Sequence, residues 1–178
     1  GSTFDNVTSP TGNNLFGVTF GNDIFLGVGQ SGNIVRSTDN GSTWDNATSP
    51  TANGLSGVNF GNDTFVAVGG DGNIVRSTDN GSSFDNATSP TANQLMEVTF
   101  GNNTFVGVGE PRTIMRSTDN GSSFDNVTSP TGSPLFALGF GNNTFVAFGH
   151  SGTIVRSTDN GSSFDNVTSP TGRLLFGV

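Results

Sequence analysis

Ile34-Val35-Arg36-Ser37-Thr38-Asp39-Asn40-Gly41-Ser42 returns from Ile74, from Ile154 and, with Met115 in place of valine, from Ile114. The interval is 40 residues each time, and Thr8-Ser9-Pro10-Thr11 keeps the same interval at 48, 88, 128 and 168. A chain with a fixed period builds one supersecondary unit per period, and each unit buries its apolar face only against its neighbours. Four full periods (1–40, 41–80, 81–120 and 121–160) and a partial fifth (161–178) therefore read as a single domain, 1–178.

Each period is strand-like throughout. Leu15–Phe20 is short, apolar and punctuated by glycine, and Gly21-Asn22-Asp23 turns it into Ile24–Val28. Gln30-Ser31-Gly32 leads into Asn33–Thr38, and Asp39-Asn40-Gly41 leads into Ser42–Thr48. No stretch holds a 3.6-residue apolar period. Labelled A to D in chain order, the strands lose apolarity toward D, as in an antiparallel sheet whose first strands lie deep and whose last meets water. One such sheet cannot cover both its faces. Sheets stacked around an axis can, and the tight A–B and C–D turns favour hairpins over the parallel coils of a solenoid. The expected fold is all-β: a β-propeller of four-stranded antiparallel blades. Adding a D strand at Ser2–Thr8 and an A strand at Leu174–Val178 gives four and a half blades. That uneven count predicts a ring completed by strand exchange in a homo-oligomer, a dimer first.

Composition narrows the chemistry. There is no Cys, so disulfides, thiolate metal sites and cysteine nucleophiles are excluded. Fourteen acids against six Arg give a net charge of −8, which opposes binding to a phosphate backbone or an anionic membrane surface. No apolar run reaches the roughly 18 residues of a membrane span, and no charged–apolar–small leader opens the sequence. The composition is compatible with an extracellular or cell-surface setting, and the compartment is otherwise open. No cofactor and no metal is expected: no Asp-x-Asp-x-Asp loop appears, and the sole His, His150, stands in a loop with no counterpart in other periods.

Ser37-Thr38-Asp39-Asn40-Gly41-Ser42-Thr43-Trp44 resembles the Asp-box, or BNR repeat, whose pattern is Ser-x-Asp-x-Gly-x-Thr-Trp. Its key positions are Ser37, Asp39, Gly41 and Trp44, then Ser77, Asp79, Gly81 and Phe84. They recur as Ser117, Asp119, Gly121 and Phe124, and as Ser157, Asp159, Gly161 and Phe164, with Phe replacing Trp. The resemblance implies a propeller with this motif on the C–D hairpin. It spans sialidases, other glycosidases, sorting-receptor ectodomains and a photosystem II assembly factor family; the last is most similar in the Gly-Asn-x-Thr-Phe-Val-Ala-Val-Gly of strand B. Physically, the Asp side chain can accept hydrogen bonds from its own turn, Gly can supply a positive φ, and the aromatic can plug the core between blades. These residues read as structural.

The enzyme class implied by the sialidase branch needs a Tyr nucleophile and three converging Arg. Tyr is absent, and Arg36, Arg76, Arg116 and Arg156 sit at one equivalent position, spread around the ring. They are expected to pair with a D-strand acid such as Asp45 or to lie on the nearby aromatic. Nine of twelve Asp fall at the repeated positions of Asp39 and Asp45, and the only Glu are Glu97 and Glu110. The chain thus reads as non-enzymatic, with a sialidase-like glycoside hydrolase as the alternative. A purely structural, self-assembling module is another. Near-identical periods fit either a recently amplified or an engineered repeat.

Differences between periods are the remaining clue. The A–B and C–D turns hardly vary; the D–A loop, the start of strand A and the B–C loop do. In an up-and-down blade those variable loops share one face, and propellers resembling this one bind ligands there. The expected ligand-binding residues are Phe16, Met96, Phe136, Glu110, Arg112 and His150, facing a protein or glycan partner.

Overall fold

The computed structural model describes residues 5–175, and within them every regular element is a strand or a single 3-10 turn. β1 (Leu15–Gly21), β2 (Ile24–Gly29), β3 (Ile34–Ser37) and β4 (Asp45–Asn46) form an antiparallel sheet in that order. The second sheet is β5 (Leu55–Gly61), β6 (Thr64–Gly69), β7 (Ile74–Ser77) and β8 (Asp85–Asn86). The third is β9 (Leu95–Gly101), β10 (Thr104–Gly109), β11 (Thr113–Ser117) and β12 (Asp125–Asn126). The fourth is β13 (Leu135–Gly141), β14 (Thr144–Gly149), β15 (Ile154–Ser157) and β16 (Asp165–Val167). These are four propeller blades, numbered one to four below.

The A–B hairpins follow from local chemistry. Gly21 pairs with Ile24, leaving Asn22 and Asp23 as a two-residue turn with φ of 49° and 59°. Such a turn matches the right-handed twist of the strands, and Asn and Asp tolerate the left-handed region better than other side chains. The first-strand pairing also slips near its start: Leu15 faces Gly29 but Gly17 faces Val28, so Phe16 is the extra residue of a β-bulge. The slip recurs in all four blades, at Ser56, Met96 and Phe136. The sequence alternation does not reveal it.

Neighbouring blades meet through their A strands, β1 against β5, β5 against β9 and β9 against β13. Between blades one and two, Leu26, Val28 and Ile34 pack on Leu55, Val58, Phe65 and Phe84. Equivalent clusters fill the next two gaps. Phe65, Phe105 and Phe145 are sealed from solvent, each burial contributing roughly 2–3 kcal/mol. A second phenyl, Phe60, lies 4.6 Å from Phe65 and sits over Gly21 of the preceding blade, where a Cβ would fall 2.1 Å from its ring. Phe100 uses Gly61 and Phe140 uses Gly101 in the same way. Gly21 is therefore a seat, since its φ is not left-handed and its turn does not require glycine.

Two expectations change. The D strand is expected over Ser42–Thr48 but is a strand only at Asp45–Asn46, with the Ala47 N–H still donating to the Ile34 carbonyl at 2.9 Å; beyond it Thr48 leaves the sheet, its carbonyl accepting from the Phe84 N–H of the next blade at 3.1 Å. The terminal strands expected at Ser2–Thr8 and Leu174–Val178 lie partly outside the described residues, and neither Asp5–Thr8 nor Leu174–Leu175 is in a strand.

The seat makes a prediction. Gly61→Ala drives a methyl into the Phe100 ring and is expected to lower unfolding free energy by about 1–3 kcal/mol in urea titration. Gly132→Ala, whose Cβ would meet nothing within 4 Å, serves as the silent control.

Candidate functional site

The two ends of the blades do different work. At one end lie the A–B and C–D turns. In each C–D turn a serine hydroxyl organises the backbone: Ser77 Oγ accepts from the Gly81 N–H at 2.9 Å and donates to Asp79 at 2.7 Å. Asp79 then accepts from the Ser83 N–H and hydroxyl at 3.0 and 2.6 Å. The same arrangement holds around Asp39, Asp119 and Asp159, with Thr43 in place of serine in the first. Gly41, Gly81, Gly121 and Gly161 all take positive φ, after Asn40, Asn80, Asn120 and Asn160, which do so too. Phe84, Phe124 and Phe164 are buried between blades. Trp44, in blade one, is only half-buried, its Nε1 donating to the Gly41 carbonyl at 3.1 Å.

These turns also tie blade to blade. Arg36 does not pair with Asp45, which stands opposite it in register; among the described residues its Nε donates instead to the Asn80 carbonyl of the next blade at 2.7 Å. Arg76 and Arg116 do the same to Asn120 and Asn160. Asn120 Nδ2 donates to Thr64 Oγ1 at 2.6 Å, and Asn160 to Thr104 Oγ1 at 2.7 Å. Ile24 replaces this threonine in blade one, so the Asn–Thr bond is made at the second and third joints while the arginine bond is made at all three.

The other end carries the variable residues. Here each B–C turn is tied to the residue that precedes its own A strand: the N–H groups of Gln30, Gly70, Glu110 and His150 donate to the carbonyls of Asn14, Gly54, Gln94 and Pro134. The D–A loop of the following blade closes over the same turn, with the Thr51 carbonyl 2.0 Å from a Cβ placed on Gly32. The variable loops thus share one end of the blades.

Phe16, Met96 and Phe136 are the bulge residues of β1, β9 and β13. Phe16 is exposed and the other two are half-buried. Glu110 and Arg112 flank Pro111 in the B–C turn of blade three, Glu110 half-buried and Arg112 exposed. His150 is exposed in the equivalent turn of blade four, its Nδ1 2.7 Å from Ser151 Oγ. Glu110 is joined through Gln94 to the blade-three A strand, and Gln94 Nε2 reaches across to Ser56 Oγ of blade two at 3.0 Å.

One residue at this end stands out only in three dimensions. Glu97 follows Met96 in β9 and is half-buried over Gly57, whose missing Cβ would lie 2.7 Å from its Oε1. Its hydrogen bond is to its own neighbour, the Val98 N–H, at 3.0 Å. Burial pushes this carboxyl up to about 7, with the Val98 N–H opposing the rise. Glycine, glycine and alanine occupy its place in the other blades, so this carboxyl marks one blade at a position that elsewhere carries a small residue.

No known family profile and no curated protein sequence matches the chain. Its fold is that of the β-propellers. The structure is similar to YCF48 bound to a D1 peptide, with TM-score 0.74 and 17% identity over 94% of this chain and 57% of that one. YCF48 from Cyanidioschyzon merolae gives 0.73 and 18% over 96% and 61%. The computationally designed Ika4 protein gives 0.68 and 15% over 88% of this chain and 98% of its own. The chain thus spans about three fifths of either YCF48 structure.

The carboxylates of this structure titrate in opposite senses. Asp39 is held at about 2 by the Thr43 N–H and hydroxyl and by Ser37. At Asp79 burial pushes upward, but the bonds from Ser83, Ser77 and Ser82 prevail and hold it at about 2. A depressed folded value stabilises above the ordinary 3.8 and is lost as pH falls toward 2. Glu97 is raised, so it imposes no cost below 4.5, an increasing cost up to 7, and a constant one above. Stability is therefore expected to peak near pH 4 to 5. Glu97→Gln should raise the melting temperature at about pH 8, by the equivalent of at most ~3 kcal/mol, and leave it unchanged at about pH 4.

Proposed function

We propose that this chain is a non-enzymatic binding scaffold that joins further copies of itself and presents the end carrying the D–A and B–C loops to a protein partner. The observation that carries the reading is the division of labour between the two ends. Residues vary little where the Arg–carbonyl bonds, and at two of the three joints the Asn–Thr bonds, lock one blade to the next, and they diverge more where such bonds are fewer. Divergence there also brings in chemistry that stability alone does not favour. Glu97 is a carboxyl kept partly from water with no cation beside it among the described residues, next to Met96 and within one strand of Ser56 and Gln94.

A peptide suits this end better than a sugar. Flexible Met96 and the phenyls Phe16 and Phe136 offer adaptable apolar contact, while Tyr is absent and Trp44, the one Trp, belongs to a C–D turn at the opposite end. YCF48, of the same fold, has been solved with a D1 peptide bound, which supports a peptide partner here. The turns of the opposite end resemble the Asp-box in pattern, and their carboxylates are occupied in holding the turn.

Selection of a peptide display library on the immobilised protein, with a glycan array alongside, tests the reading. Selected peptides should lose about tenfold in affinity, roughly 1.4 kcal/mol, on Met96→Ala or Glu110→Ala and nothing on Asn142→Ala at the opposite end. Binders indifferent to both substitutions, or hydrolysis of generic aryl glycosides abolished by Glu97→Gln, would sink it.

A further inference from the structure

The first and last blades each carry half of an interface that the chain builds completely three times. On blade one, Leu15, Val18 and Phe20 are 44, 68 and 51% exposed. Their equivalents Leu55 and Val58 are 0 and 4% exposed beneath the preceding blade. On blade four, Val146, Phe148 and Ile154 are half-buried, whereas Val106, Val108 and Ile114 are sealed beneath the following blade. The phenyl seat tells the same story from both sides. Phe60, Phe100 and Phe140 sit over Gly21, Gly61 and Gly101, and a Cβ on Gly141 would meet nothing within 4 Å.

The polar contacts are divided in the same way. Arg36, Arg76 and Arg116 each donate to a carbonyl one blade on; Arg156, the fourth of the series, is exposed. The carbonyl that would complete its pattern belongs to Asn40. A Cβ on Gly81, Gly121 or Gly161 would meet an aliphatic side chain and the arginine of the blade before, and one on Gly41 would meet nothing within 4 Å among the described residues. Asn120 and Asn160 donate to Thr64 and Thr104; Asn40 and Thr144 are the members left over.

We infer that these two faces join head to tail between copies of this chain, with Phe20 of one copy seated on Gly141 of the next and Arg156 donating to the Asn40 carbonyl. The inference rests on the self-assembly part of the proposed function and specifies its surface. The occupant is a second copy because both halves of the contact are present on one molecule, unfilled, with the residue types that fill each other three times within it. An apolar recess of about 260 Å³ beside β1, lined in part by Leu15, Val18, Val35 and Trp44, is the space that Val146, Phe148 and Ile154 of the neighbour would fill. Such a contact is heterologous, so repetition closes a ring when the rotation allows; two copies supply eight blades.

Joining requires one segment to yield. Thr171 now covers Gly152 of blade four as Thr51 covers Gly32, and the incoming Thr11 needs that place. The two segments share Asp-Asn-Val-Thr-Ser-Pro-Thr-Gly, at 5–12 and 165–172, so either copy can supply the same backbone and side-chain contacts. Exchange of one for the other leaves the chemistry of the joint unaltered.

Native mass spectrometry and light scattering of the full chain over a dilution series test the inference. The wild type should appear at twice 18.2 kDa, or at a larger whole multiple, and Gly141→Leu should return it to 18.2 kDa. That substitution fills the phenyl seat, and its Cβ meets nothing within 4 Å among the described residues, so circular dichroism should be unchanged. Arg156→Ala should shift the same equilibrium toward single chains by roughly tenfold, the loss of one charge-assisted hydrogen bond. A wild type of 18.2 kDa throughout would overturn self-assembly as such. Multiples that survive Gly141→Leu would overturn only this surface, and neither result touches peptide binding at the loop end.

Discussion

A phenyl ring resting on a glycine is the contact from which the rest of the architecture follows. A four-stranded sheet with two apolar faces is unstable alone, and its stability comes from the sheet beside it. The ring of Phe60 can approach the preceding blade only because Gly21 carries no side chain, and that approach brings Leu26, Val28 and Ile34 onto Leu55, Val58 and Phe65. Once the spacing of two blades is set in this way, the Arg36 guanidinium falls within reach of the Asn80 carbonyl. The polar ladder at the turn end is thus a consequence of apolar packing. It also fixes the register of one blade on the next, because a directional hydrogen bond tolerates less sliding than a greasy contact.

The same constraint distributes freedom unequally along the period. Residues at the turn end must satisfy their own blade and the next at once: Ser77, Asp79, Gly81 and Asn80 all hold the turn or its neighbour. Residues at the loop end answer mainly to backbone bonds, such as Glu110 N–H to Gln94 carbonyl, which ask nothing of the side chain. Side chains at 96, 110, 112 and 150 can therefore change without loosening the stack. The bulge at the start of each A strand adds to this freedom, since its extra residue is unpaired in the ladder.

Much of this was legible in the residues, and what was not has a physical cause. The period, the hairpins and the Asn-rich turns could be read because they depend on contacts within a few residues. The place of Arg36 could not: its partner is 44 residues away, and the cross-strand neighbour Asp45 was the nearer and more familiar choice. Gly21 reads as a turn residue from its neighbours Asn22 and Asp23, whereas its use is to receive a ring from 39 residues further on. Ser42–Thr48 has the composition of a polar strand, but Thr48 has a better partner in the next blade than in its own sheet. The binding candidates at one end were located by comparing periods, and Glu97 emerged as unusual only when burial could be seen.

Repetition itself sets the final step. A unit that sticks to its successor also sticks to any copy of its successor, so a run of identical blades always leaves two sticky faces unless the run closes. Phe20 and Gly141 are those two faces reduced to a ring and a gap. Sequence variation at the turn end would weaken every joint in the stack at once, the internal ones and the one proposed between copies alike. Uniformity there keeps the outer faces matched to each other as well as the inner ones. Divergence is greatest at the loop end, and the turn end departs from the repeat mainly in blade one, at Ile24, Thr43 and Trp44.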